Sequence, residues 1–95
     1  MSAYLIVDIE VHDTERYAEY IKQVPQFIKK HEGKYLVRGG ATEVREGTWT
    51  PNRLVVLEFP SRAHAESFLE DPGYAPVAAI RHAAATTRLV LAEGF

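Results

Sequence analysis

A short β-rich run that feeds directly into a capped amphipathic segment occurs twice in this chain. That repeat limits the fold more than any other feature. The first copy is Tyr4-Leu5-Ile6-Val7-Asp8-Ile9-Glu10-Val11, followed by Asp13 and a long amphipathic stretch. The second is Arg53-Leu54-Val55-Val56-Leu57-Glu58-Phe59, followed by Pro60-Ser61 and another helical stretch. With 95 residues, the chain is expected to form one domain over 1–95, since domains run from about 50 to 250 residues. Two β-α halves in so short a chain point to a split βαβ arrangement.

The pattern between these landmarks fills in the order of elements. Over residues 3–11, period-two alternation puts Leu5, Val7, Ile9 and Val11 on one face and Tyr4, Ile6, Asp8 and Glu10 on the other. Asp13 is a good N-cap, and Tyr17, Tyr20, Ile21, Val24, Phe27 and Ile28 then recur at helical spacing. Pro25 interrupts that stripe, which predicts a kink or break near Val24. His31 and Gly33 mark the helix end, with the glycine suited to a left-handed terminal position. Residues 34–38 read as a second strand, with Tyr35 and Val37 facing opposite to Leu36 and Arg38. Gly39-Gly40 then suggests a bulge or a close approach. Residues 41–45 continue extended, and 46–52 form a turn-rich connection into the third strand at 53–59. Ser61 caps a second helix carrying Ala65, Phe68 and Leu69, and Asp71-Pro72-Gly73 ends it. Residues 74–84 read as a shorter alanine-rich helix with Val77, Ala78 and Arg81 along one side, and 86–92 as the last strand.

Strand-helix-strand-strand-helix-strand is the ferredoxin-like α+β arrangement, a four-stranded antiparallel sheet with helices on one face. The opposite face would then carry Ile6, Asp8, Val56 and Glu58, partly apolar and partly acidic. A twin sheet from a second copy would cover its apolar part, giving a homodimeric α/β barrel.

Composition removes several function classes. There is no cysteine, hence no thiolate metal site, cysteine nucleophile or disulfide. The net charge is −2 with both signs interspersed, which gives no basic stripe for nucleic acid. No apolar run approaches the roughly 20 residues of a membrane span, and no signal-peptide pattern precedes the first strand. A cytoplasmic protein without membrane or nucleic-acid partners is the expectation. His12, His31, His64 and His82 lack metal-ligand spacing, so neither metal nor cofactor is expected.

Four segments taken in order carry a resemblance: residues 3–11, Tyr35-Leu36-Val37-Arg38-Gly39-Gly40, Arg53-Leu54-Val55-Val56-Leu57-Glu58-Phe59-Pro60-Ser61, and Arg88-Leu89-Val90-Leu91-Ala92-Glu93-Gly94. Together they resemble the DUF1330 family, small proteins of unknown function in the dimeric α/β-barrel superfamily. Phe68-Leu69 stands where the resemblance implies a tryptophan-containing pair. It further implies a homodimer of ferredoxin-like protomers and no agreed reaction. The wider superfamily contains cofactor-independent oxygenases, isomerases, haem-associated members and ligand-sensing modules.

Arg38 is the sharpest functional candidate. A guanidinium followed by Gly39 and Gly40 can fork around a carboxylate or enolate while the bare backbone lets the ligand close. The structural alternative is an ion pair with Glu58 or Asp8. Tyr17 and Tyr74 would add phenols to a cleft between helices and sheet, and Arg81 a second cation, although tyrosines suit ordinary cores equally well. Asp8 and Glu58, on neighbouring strands, are candidate acid/base groups if close enough to raise one pKa. The alternative places them apart or bonded to Arg38 and Arg88. Trp49 is expected to fold over the dimer edge. The leading expectation is a homodimer that binds a small organic, anionic molecule in that cleft. A cofactor-independent oxygenase or isomerase and a pure dimerisation module are the alternatives.

Overall fold

The computed structural model describes residues 1–95. Its elements run β1 (Ala3–Val11), α1 (Thr14–Lys30), β2 (Lys34–Arg38), β3 (Arg53–Phe59), α2 (Arg62–Leu69), α3 (Ala75–Ala84) and β4 (Ala85–Glu93). The strands form one antiparallel sheet in the order β2-β3-β1-β4, the ferredoxin-like order. β1 lies at its centre because it is β-branched and apolar on its inner face. Leu5 pairs across to Leu57 on one side and Leu91 on the other, Val7 to Val55 and Leu89. All three helices cover this face. No helix is long and apolar enough to cross a membrane.

The core joins Leu5, Val7, Ile9, Val55, Leu57 and Phe59 of the sheet to Tyr17, Tyr20, Val24 and Ile28 of α1 and to the inner sides of α2 and α3. Phe59 and Phe68 stack at 5.5 Å, and Phe68 lies 4.4 Å from the Tyr74 ring. Truncating a fully buried phenylalanine such as Phe59 would cost about 3–5 kcal/mol.

Four local expectations are corrected. First, α1 runs unbroken through Pro25. Proline removes one backbone donor, and burial of Tyr17, Tyr20, Val24 and Ile28 along one side holds the helix across that loss. Second, the left-handed residue after α1 is Glu32, at φ 62°, not Gly33. The Gly33 N–H reaches back to the Ile28 carbonyl (2.8 Å) and the Glu32 N–H to that of Lys29 (3.0 Å), closing a Schellman motif. Gly33 is required for another reason: a Cβ there would lie 2.5 Å from Phe59 Cε1. Third, residues 41–45 form no strand and are exposed. Fourth, the bulge falls within β2: Tyr35 pairs with Leu57 and Val37 with Val56, so Leu36 is the extra residue. Tyr35 and Arg38 therefore share the helix-covered face.

The other face has no covering element. Ile6, Val56 and Val90 lie along it, and Val90 is 60% exposed. One end is capped by the connection after β2, which Asp8 holds down. The Trp49 indole N–H donates to Asp8 Oδ2 (3.0 Å) and the Asn52 backbone N–H to Oδ1 (2.9 Å).

Candidate functional site

A narrow cleft, with about 40 Å³ of free space inside it, enters between α1, α3 and the helix-covered face of the sheet. Its walls are mostly apolar, which suits the body of an organic molecule. Its polar groups are three arginines, Arg38, Arg53 and Arg81, and the phenols of Tyr17, Tyr20, Tyr35 and Tyr74.

Each arginine rests on a tyrosine. The Arg38 guanidinium lies 4.5 Å from the Tyr35 ring centre, Arg53 5.8 Å from Tyr17, and Arg81 5.6 Å from Tyr20. The local sequence explains these pairs. The bulge at Leu36 brings Tyr35 and Arg38 onto one side of β2, while alternation along β3 puts Arg53 on the same face as Val55 and Leu57. Tyr17 and Tyr20 follow one another on the buried side of α1, with ring centres 5.6 Å apart.

None of the three guanidiniums forms an ion pair with a carboxylate. For Arg81 this matters most, because it is only 6% exposed and buried charges are ordinarily paired. Burial works against its charge, but the phenolic oxygens of Tyr20 and Tyr74 outweigh burial and hold the guanidinium pKa above its ordinary value. Burial, then the Tyr74 oxygen, pushes the Tyr20 phenol well above the usual range. The two hydroxyls share a hydrogen bond of 2.8 Å. Arg53 Nε is buried with no partner. The cleft is thus positive and unneutralised.

Of the residues picked from sequence, Tyr17, Arg38, Tyr74 and Arg81 line the cleft together. Gly39 adjoins it: at φ 69° its N–H donates to the Leu54 carbonyl (2.8 Å), and a Cβ there would lie 2.5 Å from an Arg53 guanidinium nitrogen. Gly40 has nothing within 4 Å of where a Cβ would sit.

Asp8 and Glu58 are elsewhere, on the opposite face of the sheet. Asp8 pairs across from Leu54, and Glu58 from Tyr4. The carboxylates are therefore four residues apart in register, about 13 Å at about 3.3 Å per residue. Both pKa values are lowered. The Trp49 hydrogen bond is the main cause for Asp8, and hydrogen bonds from Lys34 and then Tyr4 for Glu58. Arg38 bonds to neither carboxylate.

Arg53, Tyr20 and Tyr35 were missed in the sequence. Arg53 was available from alternation, since it stands two residues before the inward-facing Val55. Tyr20 reads as core, and Tyr35 was hidden by the bulge. No group of three or more His, Asp or Glu side chains is placed to hold a metal ion.

Residues 2–95 match the family described as a domain of unknown function, DUF1330, and the chain belongs to that family. No curated protein matches it significantly. Among solved structures, it is similar to the RPA0582 protein of unknown function from Rhodopseudomonas palustris. That similarity has a TM-score of 0.81 at 19% identity over 99% of this chain and 82% of that one. SnoaB, a cofactor-independent oxygenase from Streptomyces nogalater, superposes at TM-score 0.65 and 15% identity, over 99% of this chain and 93% of its own. A dimeric ferredoxin-like protein of unknown function from Jannaschia sp. CCS1 gives 0.72 and 14%, over 99% and 100%. At these identities the likeness establishes a shared ferredoxin-like fold.

Proposed function

We propose that this domain binds a small organic anion in the arginine–tyrosine cleft and works as a homodimer. The observation that carries the first part is Arg81, a nearly buried guanidinium without a carboxylate, facing a cleft with two further unpaired arginines. Arg38, at the exposed end, anchors the ligand, with Gly39 and Gly40 leaving the backbone open beside it. Tyr17 and Tyr74 contact its apolar body. Dimerisation is supported by the uncovered apolar face bearing Ile6, Val56 and Val90, and by the dimeric ferredoxin-like relatives that share the fold.

Binding stands ahead of catalysis by Asp8 or Glu58. Both carboxylates face away from the cleft, and both have lowered rather than raised pKa values. A general base poised near neutral pH needs the reverse.

The test is native mass spectrometry of the wild type and Arg38→Ala, followed by an NMR screen of organic acids. The expected result is a dimer with a reproducible extra mass that the folded variant loses. An adduct-free dimer, together with unmoved resonances of Tyr17, Tyr35 and Tyr74 across the screen, would sink the proposal.

A further inference from the structure

The end of α1 and the start of α2 meet at one end of the sheet. Lys34, the first residue of β2, pairs with Glu58 near the end of β3, so the turn before β2 lies beside the turn after β3. Three side chains from these turns form a continuous chain of hydrogen bonds. Ser61 Oγ lies 2.7 Å from His64 Nδ1, and His64 Nε2 lies 3.0 Å from Glu32 Oε2. A hydroxyl, an imidazole and a carboxylate in that order are the parts of an activated serine nucleophile.

Local structure holds each part in place. Ser61 is the N-cap of α2, and its Oγ accepts the His64 backbone N–H at 3.2 Å. His64 is the third residue of the helix, the position from which a side chain turns back onto the cap. Glu32 occupies the left-handed position after α1 and reaches His64 from there. The two contacts select one neutral tautomer. A carboxylate only accepts, so Nε2 carries the proton, Nδ1 is an acceptor, and the Ser61 hydroxyl donates to it. Arg62 and Ala63, directly after Ser61, open the helix, so their N–H groups have no acceptor within it. They face whatever negative charge develops at Oγ or at a carbonyl under attack.

Ser61 is half-buried and the His64 side chain is 37% exposed, so an incoming group can reach both. Beside them lies a surface pocket with about 200 Å³ of free space, whose lining includes Glu32, Lys34, Phe59 and Pro60. A cavity of about 150 Å³ holds a benzene ring. None of these residues lines the arginine–tyrosine cleft.

We infer that Ser61, His64 and Glu32 form a second site, separate from that cleft, which hydrolyses small aryl esters through an acyl-serine. His64 Nδ1 takes the Ser61 proton as Oγ bonds to the carbonyl carbon. The bond from that carbon to the aryl oxygen then breaks, and the proton leaves with the phenol. A water deprotonated by His64 splits the acyl-serine, releasing the acid and restoring the Ser61 hydroxyl. Ser61 and His64 are the catalytic residues, and Glu32 is a positioning residue that steadies the imidazolium.

The experiment follows p-nitrophenyl acetate hydrolysis by the intact protein, with an acid quench and peptide mapping of any acetyl group. The expected result is acetylation at Ser61 and a turnover that Ser61→Asn lowers by about ten-fold or more. Asparagine keeps a capping acceptor, so the thermal melt of that variant stays close to wild type. His64→Gln is expected to lose turnover equally. Glu32→Gln slows turnover several-fold while Ser61 remains the acetylated residue. Acetyl groups on His64 or lysines alone, full activity in Ser61→Asn, or hydrolysis no faster than in buffer would each overturn the inference. The three side chains would then be a helix cap and nothing more.

Discussion

Asp71, which the sequence presents only as the start of an Asp-Pro-Gly helix breaker, turns out to latch the end of α1 to the turn between α2 and α3. Its carboxylate meets Lys30 Nζ at 2.8 Å and His31 Nε2 at 2.7 Å, both at the end of α1, and accepts the Gly73 N–H at 2.8 Å. The Lys30 hydrogen bond, then that of His31, holds its pKa well below the ordinary 3.8. A lowered carboxylate contributes stability that is complete above its unfolded value near 3.8 and lost as pH falls through the folded value. Asp71→Asn is therefore expected to lower Tm by several degrees at neutral pH and to flatten the acid limb of a Tm-against-pH curve. An unchanged acid limb would assign acid sensitivity to other carboxylates. Asp8, lowered chiefly by its bond from Trp49, contributes in the same pH window. Neither carboxylate announces its partners in the sequence, because both reach about 40 residues along the chain to find them.

At the scale of elements, much was readable. The two β-α halves and the caps at Asp13 and Ser61 follow from local pattern. The misses share one cause, which is that packing overrules a local preference. Pro25 should break α1, yet the buried stripe around it keeps the helix whole. The bulge at Leu36 leaves no mark in the composition of β2, and it alone moved Tyr35 into the cleft beside Arg38. The α1 terminus gives two opposed predictions. Glu32→Gly relieves a left-handed glutamate, at the cost of a 3.0 Å contact to His64 Nε2 and of glycine's greater unfolded freedom. A net gain of roughly 0.5 kcal/mol is expected, or roughly 2–4 °C in Tm. Gly33→Ala forces a methyl onto the fully buried Phe59 ring and should cost about 1–3 kcal/mol by overpacking. Thermal melts of the two variants read both signs directly.

For the whole molecule, the sheet has two unlike faces: one is covered by helices and holds the cleft, and the other is bare, the face to which the proposed dimer is assigned. Alternation in β1 and β3 foretold that division, since Ile6, Asp8, Val56 and Glu58 fall together on the bare side. What alternation could not supply was depth: which arginines are buried depends on how α3 lies over the sheet. Val90→Lys would place a charge in the most exposed apolar position of the bare face. Sedimentation should then show the proposed dimer replaced by monomer at micromolar concentration, with the thermal melt of the protomer barely altered. A dimer that survives the change would place the contact elsewhere.

The chain's only tryptophan is Trp49, which Asp8 tethers on the bare side of the sheet, away from the cleft. The molecule therefore carries two separate optical channels. Tryptophan emission should blue-shift when a second copy covers that side and stay unchanged when the cleft fills. Tyrosine absorbance should respond chiefly to occupancy, since Tyr17, Tyr20, Tyr35 and Tyr74 line the cleft and Tyr4 alone lies on the bare side, so a single cuvette can distinguish assembly from occupancy without any label.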